Sequence, residues 1–504
     1  MFKSSGWRGC GIFALTLFMV AVVSSTTLAA SQESLIRVSS DPYTNPDSQH
    51  RTEVEPDTFA FGKTIVSAFQ VGRFPDADAG SSNIGWATST DAGKTWTHGF
   101  LPGITKVVNP TNPYNRATNA SVAYNRKYQA WLIASLPFKI PVNLPSAVVV
   151  SRSTNGGTEW EKPITVASEP GNLIQDKSWI VCDNTPTSPF YGHCYVEWDD
   201  AGNNSLIHMS TSTDGGKTWS TPKTTANHAT GSGGQPLVLP NGTVVVPIGS
   251  ADQMAILSFI STNGGASWSR TVRVAHAPSF NEQTQLNLRN GAGLPSAEID
   301  ASGKVYVTWQ DCRFERDCKA NDIVMSTSTD GIKWSRVQRI PIDPINSGVD
   351  HLLPGLGVDR STDGKNAHLG LTYYYLSNVN CTTATCQLNV GFISSTNGGK
   401  SWSNHKQLAG PMKLTWLPLS QNGRMIGDYI STSILPGRNA VTVFPVAHKP
   451  EGNTTCGLGV VCDQAMYTAP EGLMSIVGGT NTSDGDKVVV TSQSSGGDPQ
   501  QGYH

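Results

Sequence analysis

Two segments of the sequence repeat an aromatic–Gln–x–x–Arg–Phe pattern, Phe69–Phe74 and Trp309–Phe314. The glutamine amide both donates and accepts hydrogen bonds, and the planar guanidinium of arginine binds a carboxylate through two parallel N–H groups. Hydrogen bonds to charged groups contribute roughly 1.5 to 3 kcal/mol each. The pattern therefore predicts a binding site for a carboxylate, such as that of an acidic sugar. The candidate ligand-binding residues are Gln70, Gln310, Tyr374, Arg51, Arg73, Arg289, Arg313 and Arg424.

A second phrase, which recurs six times, indicates the elements that position these residues. Each copy begins with Ser-Thr, continues with Asp or Asn and then Gly, and ends on Trp, as in Ser212–Trp219; in the first copy Ala92 stands between Asp91 and Gly93. Asp or Asn before Gly favours a turn with positive φ, and its side-chain oxygen can accept hydrogen bonds from nearby backbone N–H groups. The phrase predicts six similar hairpin turns. Their Asp or Asn residues are Asp91, Asn155, Asp214, Asn263, Asp330 and Asn397.

The repeated phrase resembles the Asp box, S-x-D-x-G-x-x-T-W, of the sialidase-like superfamily of BNR-repeat β-propellers. Three copies have Asn in place of Asp, and the copy at Asp330 is one residue short. The resemblance implies an all-β propeller in which each box joins the third and fourth strands of a blade. It also implies that the box carboxylates are structural and that the functional site lies on the opposite face.

The spacing of the boxes predicts seven blades in one domain, residues 33–470, with six blades as the alternative. Each interval holds four short strands, and Val305–Trp309 shows the alternation of a strand with one apolar face. A further blade-like segment without a box runs from Met425 to Thr468, and its missing strand is expected to come from Leu35–Ser39, which would close the ring. Residues 471–504 are rich in Gly, Ser, Thr and Asp and are expected to form a flexible tail.

The resemblance to sialidases also implies roles for residues on the face opposite the boxes. Sialidases bind the substrate carboxylate with three arginines, for which Arg73, Arg313 and Arg424 are the leading candidates, and they use a tyrosine nucleophile assisted by a glutamate. The Arg-Ile-Pro motif found near the start of sialidases is absent, since residues 51–53 read Arg-Thr-Glu and residues 73–75 read Arg-Phe-Pro. The candidate catalytic residues are Tyr429, Glu53, Asp311, Asp428 and His50. The alternatives are Tyr373, Tyr374 or Tyr375 for the nucleophile, Glu55 or Glu197 for the assisting glutamate, and Asp57 for the acid.

Three functions fit this pattern. The first is an exo-α-sialidase type of glycoside hydrolase that removes a terminal acidic sugar from glycans. The second is a propeller-fold lyase or rhamnosidase acting on a uronate-containing glycan, in which His50, His351 or His448 would work with Tyr374 or Tyr429. The third is a non-catalytic binding or assembly propeller, which would show scattered charge without convergence.

The first thirty residues predict a secretory signal peptide, because Lys3 and Arg8 precede an apolar run from Ile12 to Val23. The protein is therefore expected to be secreted or periplasmic, and Cys10 would leave with the signal. The eight other cysteines form close couples without a zinc-ligand spacing, which favours local disulfides. The expected pairs are Cys182 with Cys194, Cys312 with Cys318, Cys381 with Cys386, and Cys456 with Cys462.

Charge and composition limit the partners. Without Lys3 and Arg8 the chain has 34 basic and 38 acidic residues, a net charge of −4, which favours neither nucleic acid nor an anionic membrane surface. The expected partner is a glycan substrate, and we expect a monomer that does not insert into a membrane. No metal ligands and no cofactor are predicted, although the sequence leaves room for a structural calcium ion.

Overall fold

The computed structural model describes residues 35–76, 80–140, 146–169, 175–291, 293–437, 439–470 and 473. The predicted signal peptide and, apart from Leu473, the predicted tail lie outside the described residues. Within them, no helix is long and apolar enough to cross a membrane.

The described part of the chain is almost entirely antiparallel sheet and divides into seven consecutive modules, numbered 1 to 7 in chain order. Modules 1 and 2 share a single residue pair, Ser81 with Ala117. Strand β1 (Ile36–Arg37) precedes module 1, which contains β2 (Gln49–Phe61), β3 (Thr64–Arg73), β4 (Ser81–Ser89) and β5 (Thr97–Phe100). Module 2 contains β6 (Arg116–Asn125), β7 (Ala130–Phe138), β8 (Ser146–Ser153) and β9 (Ile164–Glu169), and module 3 contains β10 (Gln175–Cys182), β11 (Cys194–Asp200) and β12 (Leu206–Ser212). Module 4 contains β13 (Gly231–Ser232), β14 (Leu237–Val238), β15 (Val244–Ser250), β16 (Ala255–Ser261) and β17 (Val272–His276).

A short α-helix, α1 (Glu282–Leu286), and strand β18 (Leu288–Arg289) precede module 5. Module 5 contains β19 (Ser296–Ile299), β20 (Val305–Asp311), β21 (Asp322–Ser328) and β22 (Gln338–Arg339). Module 6 contains β23 (Asp350–Val358), β24 (Leu369–Leu376), β25 (Gln387–Ser395) and β26 (Ser403–Lys413). Strands β27 (Leu419–Ser420) and β28 (Gly423–Met425) precede module 7, which contains β29 (Ser431–Ile434), β30 (Ala440–Ala447) and β31 (Gln464–Thr468). Single 3-10 turns occur at Ala201–Asn203, Arg316–Cys318, Gly364–Asn366 and Leu414–Trp416.

The first strands of the modules surround a narrow cavity. Residues of β2, β6, β10, β14, β19, β23 and β29 all line it, so every module contributes to its wall. Apolar side chains fill the space between neighbouring modules, as Leu132 and Val150 of module 2 do against Val196 of module 3. Burial on both faces of the sheets is the main apolar stabilisation of this arrangement.

The N-terminal strand pairs with the last module, as predicted. Ile36 lies opposite Thr468 and Arg37 opposite Tyr467, so β1 extends the β29–β30–β31 sheet to four strands. A buried carboxyl of module 1 holds this junction, because Glu53 Oε2 accepts hydrogen bonds from the Ser39 hydroxyl and from the backbone N–H of Met466. Glu53, a predicted catalytic residue, therefore makes its contacts at the junction of module 1 with β1 and β31.

Each Asp box joins the third and fourth strand positions of its module, as the resemblance implied. In module 3, Asp214 Oδ1 accepts from the backbone N–H groups of Lys217 and Thr218, both at 3.0 Å, and Oδ2 accepts from the Thr218 hydroxyl at 2.6 Å. The indole N–H of Trp96 donates to the carbonyl of Gly93 at 3.0 Å in the first box. These bonds stay within one turn, which supports a structural role.

Replacing Asp214 with alanine is expected to lower the free energy of unfolding by about 1 to 2 kcal/mol, the range found when a side-chain acceptor for backbone N–H groups is removed. Thermal unfolding of the purified protein measures this loss. The exposed residue Glu451 provides a control, since Glu451→Ala should leave the midpoint unchanged. An Asp214→Ala protein of normal stability with impaired turnover would place function on the box face.

All four predicted disulfides are present: Cys182–Cys194, Cys312–Cys318, Cys381–Cys386 and Cys456–Cys462. The first links β10 to β11 at directly paired positions. The other three close loops that follow the second strands of modules 5, 6 and 7. Short covalent loops restrict the unfolded chain. These three lie on the face opposite the boxes, whereas Cys194 is paired with Ser212, the first residue of a box.

Buried carboxyl groups make stability depend on pH. Burial raises the pKa of Glu53 to about 8 and that of Asp199 to about 8, with the negative charge of Asp176 adding to the second shift. In the unfolded chain these groups ionise near their ordinary values of about 4. The folded state therefore keeps protons that the unfolded state releases, and stability is lost as the pH rises from about 4 to about 8.

Between pH 6.5 and pH 8 we expect the unfolding midpoint to fall, and Glu53→Gln should reduce the slope, because a neutral amide oxygen can accept the same two hydrogen bonds at every pH. Calorimetric midpoints of both proteins across this range provide the measurement. A wild-type midpoint that rises with pH in this window would show that these carboxyls are ionised in the folded protein.

Candidate functional site

A cluster of charged side chains lies at the end of the cavity opposite the Asp boxes. Modules 1 and 3 contribute from β2, β3 and β10. Arg289 comes from β18, which belongs to a small sheet with β27 and β28, and Asp428 lies between β28 and β29. In this sheet β18 runs parallel to β28 and places Arg289 beside Met425. We call this set the channel-mouth cluster; it consists of Glu55, Gln70, Arg73, Asp176, Lys177, Arg289 and Asp428.

Asp428 is the centre of the channel-mouth cluster. Its Oδ2 lies 2.8 Å from Lys177 Nζ and 3.1 Å from Arg289 Nη2, and its side chain is only 6% exposed. Burial opposes its ionisation, but the positive charges of Arg289 and Lys177 outweigh burial and hold the pKa of Asp428 well below its usual range. Asp428 is therefore a permanent carboxylate that orients two cations.

Glu55 is the opposite case. The backbone N–H of Asp428 donates to its Oε1 at 3.1 Å, and the Gln70 amide donates to Oε2. Burial first, and the charge of Asp428 second, raise the pKa of Glu55 to about 7, against the influence of Lys177 and Arg73. Two adjacent carboxyls with pKa values pushed apart are typical of sites that move protons near neutral pH.

The guanidinium of Arg73 is buried, and its side-chain hydrogen-bond partners are neutral groups. It is 2% exposed, and it donates to Gln70 Oε1 and, at 3.0 Å, to the thioether sulfur of Met425. Arg289 Nη1 approaches the same sulfur at 3.5 Å. No carboxylate of the described residues lies within salt-bridge distance of Arg73, and burial lowers its pKa to about 10. Two guanidinium groups therefore meet at one soft acceptor.

Backbone distortion concentrates at this end of the cavity. Glu55, Asn119 and Lys177 have φ values of 57°, 51° and 50°, and each lies where the register of its first strand shifts. A left-handed conformation at a residue other than glycine costs on the order of 1 to 3 kcal/mol, and such strain clusters at functional sites. The bulges turn these three polar side chains out of the strand alternation. The Asn119 amide then donates to Asp176.

Tyr429 lies beside the cluster and is 8% exposed. Its hydroxyl donates to the carbonyl of Ala120 at 3.1 Å, and its ring meets the edge of Trp179 at 5.2 Å between centroids. Burial, together with the charges of Glu55 and neighbouring carboxylates, raises the pKa of Tyr429 well above its usual value. The phenol is therefore protonated in this state, and Glu55 is the carboxyl with the greatest influence on it.

A family model described as a BNR repeat-like domain matches residues 144–355. This part of the chain therefore carries BNR-type repeats. The matched segment includes four of the six boxes and two cations of the channel-mouth cluster, Lys177 and Arg289. No curated protein matches the chain.

Solved structures similar to this BNR-repeat chain include a Hadza microbial sialidase, with 12% identity over 84% of this chain and 67% of that chain and a TM-score of 0.42. A polysaccharide lyase described as an ulvan lyase shares 10% identity over 87% of this chain and 97% of that chain, with a TM-score of 0.48. The NanB sialidase of Streptococcus pneumoniae shares 15% identity over 87% and 70%, with a TM-score of 0.41. Likeness at this level assigns no reaction to the BNR-repeat protein.

Four predicted site residues of the BNR-repeat protein, Gln70, Arg73, Arg289 and Asp428, meet in the channel-mouth cluster, and Tyr429 lies beside it. Other predicted residues make separate contacts. Arg313 pairs with Asp311 at 2.7 Å and also donates to the carbonyl of His276. Arg424 donates to the carbonyls of Leu417, at 3.0 Å, and Cys456.

The remaining predicted residues also lie apart from the cluster. Gln310 donates to Glu282 at 3.3 Å in a second buried polar group. Tyr374 is buried and donates to the carbonyl of Pro445 at 2.6 Å. His50 lies 3.1 Å from the carbonyl of Asn45, and Arg51 is exposed. The structure thus shows where these residues lie, and their predicted roles in catalysis or substrate binding stay predictions.

Sequence reasoning named Glu55 only as an alternative to Glu53, and it placed Lys177 at the channel mouth without assigning it a role. It missed Asn119 and Met425 as members of the site. The pair Asp176–Lys177 and the acid-rich start of β2 were visible as polar segments at the beginnings of strands. The bulges that select Glu55 over Glu53 carry no recognisable signal in the sequence. Neither does the use of a methionine sulfur between two arginines.

Proposed function

We propose that the protein is a glycoside hydrolase that removes a terminal acidic sugar from glycans. The observation that carries the proposal is the convergence of three basic side chains, Arg73, Lys177 and Arg289, at one end of the cavity, where the salt bridges among the described residues are to Asp176 and Asp428. Such a group offers a carboxylate charge-assisted hydrogen bonds. The neighbouring aromatic rings of Trp179 and Tyr429 suit a sugar ring.

In this proposal each residue has a distinct role. Arg289, the most exposed of the three cations, and Lys177 bind the substrate carboxylate, and Asp428 orients them. Tyr429 attacks the anomeric carbon while Glu55, with a pKa of about 7, takes the phenol proton; the glycosidic bond breaks, and the leaving oxygen takes a proton from solvent water. Water then attacks the same carbon and gives a proton back to solvent, the bond to Tyr429 breaks, and Glu55 returns its proton to the phenolate. The Tyr429 hydroxyl must leave the carbonyl of Ala120 for its attack.

We also infer that the seven modules form a seven-bladed propeller spanning residues 33–470. The cavity lined by all seven first strands and the pairing of β1 with β31 support it. An experimental structure showing an open array or a ring of six would contradict this inference. The four disulfides favour folding in an oxidising compartment, which fits the proposed secreted or periplasmic location.

Product analysis tests the proposed reaction. The purified protein is incubated with sialosides and with uronate-containing polysaccharides, and products are identified by mass spectrometry and ultraviolet absorbance. The expected result is a free saturated sugar acid. An unsaturated uronate that absorbs in the ultraviolet would indicate a lyase, and glycan binding without any product would indicate a binding propeller; either result overturns hydrolysis.

A further inference from the structure

Another buried group of polar side chains, distinct from the one that contains Gln310 and Glu282, lies between modules 5 and 6, away from the channel-mouth cluster. Asp322 begins β21, Asp343 follows β22, and His351 is the second residue of β23. Asp322 is 1% exposed and His351 is 2% exposed. One ligand atom from each of the three lies within 4.8 Å of the other two. The turn after β22 thereby meets the starts of two strands.

The imidazole of His351 has a fixed orientation. Its Nδ1 faces the carbonyl of Asn321 at 3.3 Å, and its Nε2 points toward Asp343 Oδ2 at 3.8 Å. The rings of Tyr373 and Tyr375 pack against it at 5.6 Å and 6.3 Å between centroids. A histidine that ligates a metal through one nitrogen usually donates its other N–H to a carbonyl or carboxylate in this way.

In both Asp322 and Asp343, one carboxylate oxygen contacts Arg339 and the other does not. Arg339 donates to Oδ1 of Asp322, at 2.7 Å, and to Oδ1 of Asp343. On the other side, Asp343 Oδ2 accepts only the rotatable hydroxyl of Ser347, and Asp322 Oδ2 is buried without a hydrogen-bond partner among the described residues. Leaving a buried carboxylate oxygen unpaired is costly.

Arg339 does not balance the charge of this group. It faces two aspartates, and Oε1 of the nearby Glu315 is also buried without a hydrogen-bond partner among the described residues. One guanidinium therefore serves two carboxyl groups in a nearly dry environment. An ordinary buried ion pair would use the second oxygen of each carboxylate as well.

We propose that Asp322, Asp343 and His351 bind one divalent transition-metal ion, of the zinc class. One imidazole nitrogen with two carboxylate oxygens suits zinc, whereas calcium prefers six to eight oxygen ligands. Zinc bonds of about 2.0 to 2.2 Å require the ligand atoms to draw slightly together, and Asp343 lies in the turn between β22 and β23 rather than within a strand. The ion would tie this turn to the starts of β21 and β23.

Metal content of the full-length protein tests the proposal. Wild type and variants are dialysed against zinc, washed, and measured by mass spectrometry of the metal. We expect one zinc ion per chain in the wild type and at least about 100-fold weaker binding in His351→Ala and Asp322→Asn. His368→Ala is the matched control, since His368 lies 3.8 Å from Asp359 without a second carboxylate of this group, and it should retain the ion.

A second measurement does not depend on the variants folding. Zinc should raise the unfolding midpoint of the metal-free wild type, a chelator should reverse the shift, and cobalt substitution should produce visible absorption bands that disappear in the variants. Wild type that holds no zinc beyond an adventitious trace would overturn the proposal. Equal zinc in wild type and in correctly folded His351→Ala would also overturn it.

Discussion

Glu55→Gln is expected to lower kcat/KM for an acidic glycan by about 100- to 10,000-fold, the range associated with loss of a general acid or base. The amide keeps the shape of the carboxyl and can still accept from the Asp428 N–H, but it cannot take a proton from Tyr429. Steady-state kinetics on the substrate identified by product analysis measures the effect. Because the pKa of Glu55 is raised to about 7, wild-type kcat/KM should rise with pH through about 7 as Glu55 ionises, and this limb should vanish in the variant.

Glu53→Gln is the matched control for that experiment. Glu53 is also buried on β2 and its pKa is also raised, but its contacts are with Ser39 and Met466 rather than with the channel-mouth cluster. Its substitution should change stability with pH and leave kcat/KM within a factor of a few. Loss of turnover in Glu53→Gln with normal turnover in Glu55→Gln would reverse the assignment and return the catalytic role to Glu53.

Arg289→Ala is expected to reduce kcat/KM by about 30- to 1,000-fold for substrates that carry a carboxylate, corresponding to about 2 to 4 kcal/mol for breaking a mostly buried charge pair. The loss has two sources: the substrate carboxylate loses a donor, and Asp428 retains only Lys177 as a direct cationic partner. Binding isotherms with a sugar acid and with its neutral reduced analogue separate charge recognition from general damage.

The exposed Arg336 on the box face supplies the control for Arg289, and Arg336→Ala should leave both isotherms unchanged. The neutral analogue should bind wild type and Arg289→Ala with similar affinity. If Arg289→Ala weakened both ligands equally, the carboxylate clamp would be wrong and the cluster would be a structural ion network.

Features encoded over short stretches of chain were predictable. The Asp boxes, the disulfide pairs and the addition of Leu35–Ser39 to the last sheet follow from local spacing, turn chemistry and alternation, and the structure confirms each of them. Gln70 and Arg73 were also recognisable, because the Gln-x-x-Arg phrase occurs in two segments of the chain. The hydrogen bond between them was not predictable, because regular alternation places residues three apart on opposite faces of a strand, and the positive φ of Gly72, 73°, interrupts that alternation.

The selection of the site residues depended on the tertiary structure. Glu55, Lys177, Arg289 and Asp428 come from distant parts of the sequence. Glu55 and Lys177 lie on the first strands of modules 1 and 3, and the pairing of β18 with β28 brings Arg289 to the segment that carries Asp428. Arg313 and Arg424 seemed equivalent to Arg73 by sequence, yet Asp311 and nearby carbonyls occupy their donors.

The sequence by itself determined the repeated turn, the all-β class, the disulfides and the types of side chain available for chemistry, since these depend on neighbouring residues. Only the tertiary structure decided which of those side chains share a site and what charge each carries. Bulges at Glu55 and Lys177 redirect side chains out of the strand alternation, and burial beside opposite charges separates the pKa values of Glu55 and Asp428. Both effects depend on contacts between modules, which local sequence patterns do not encode.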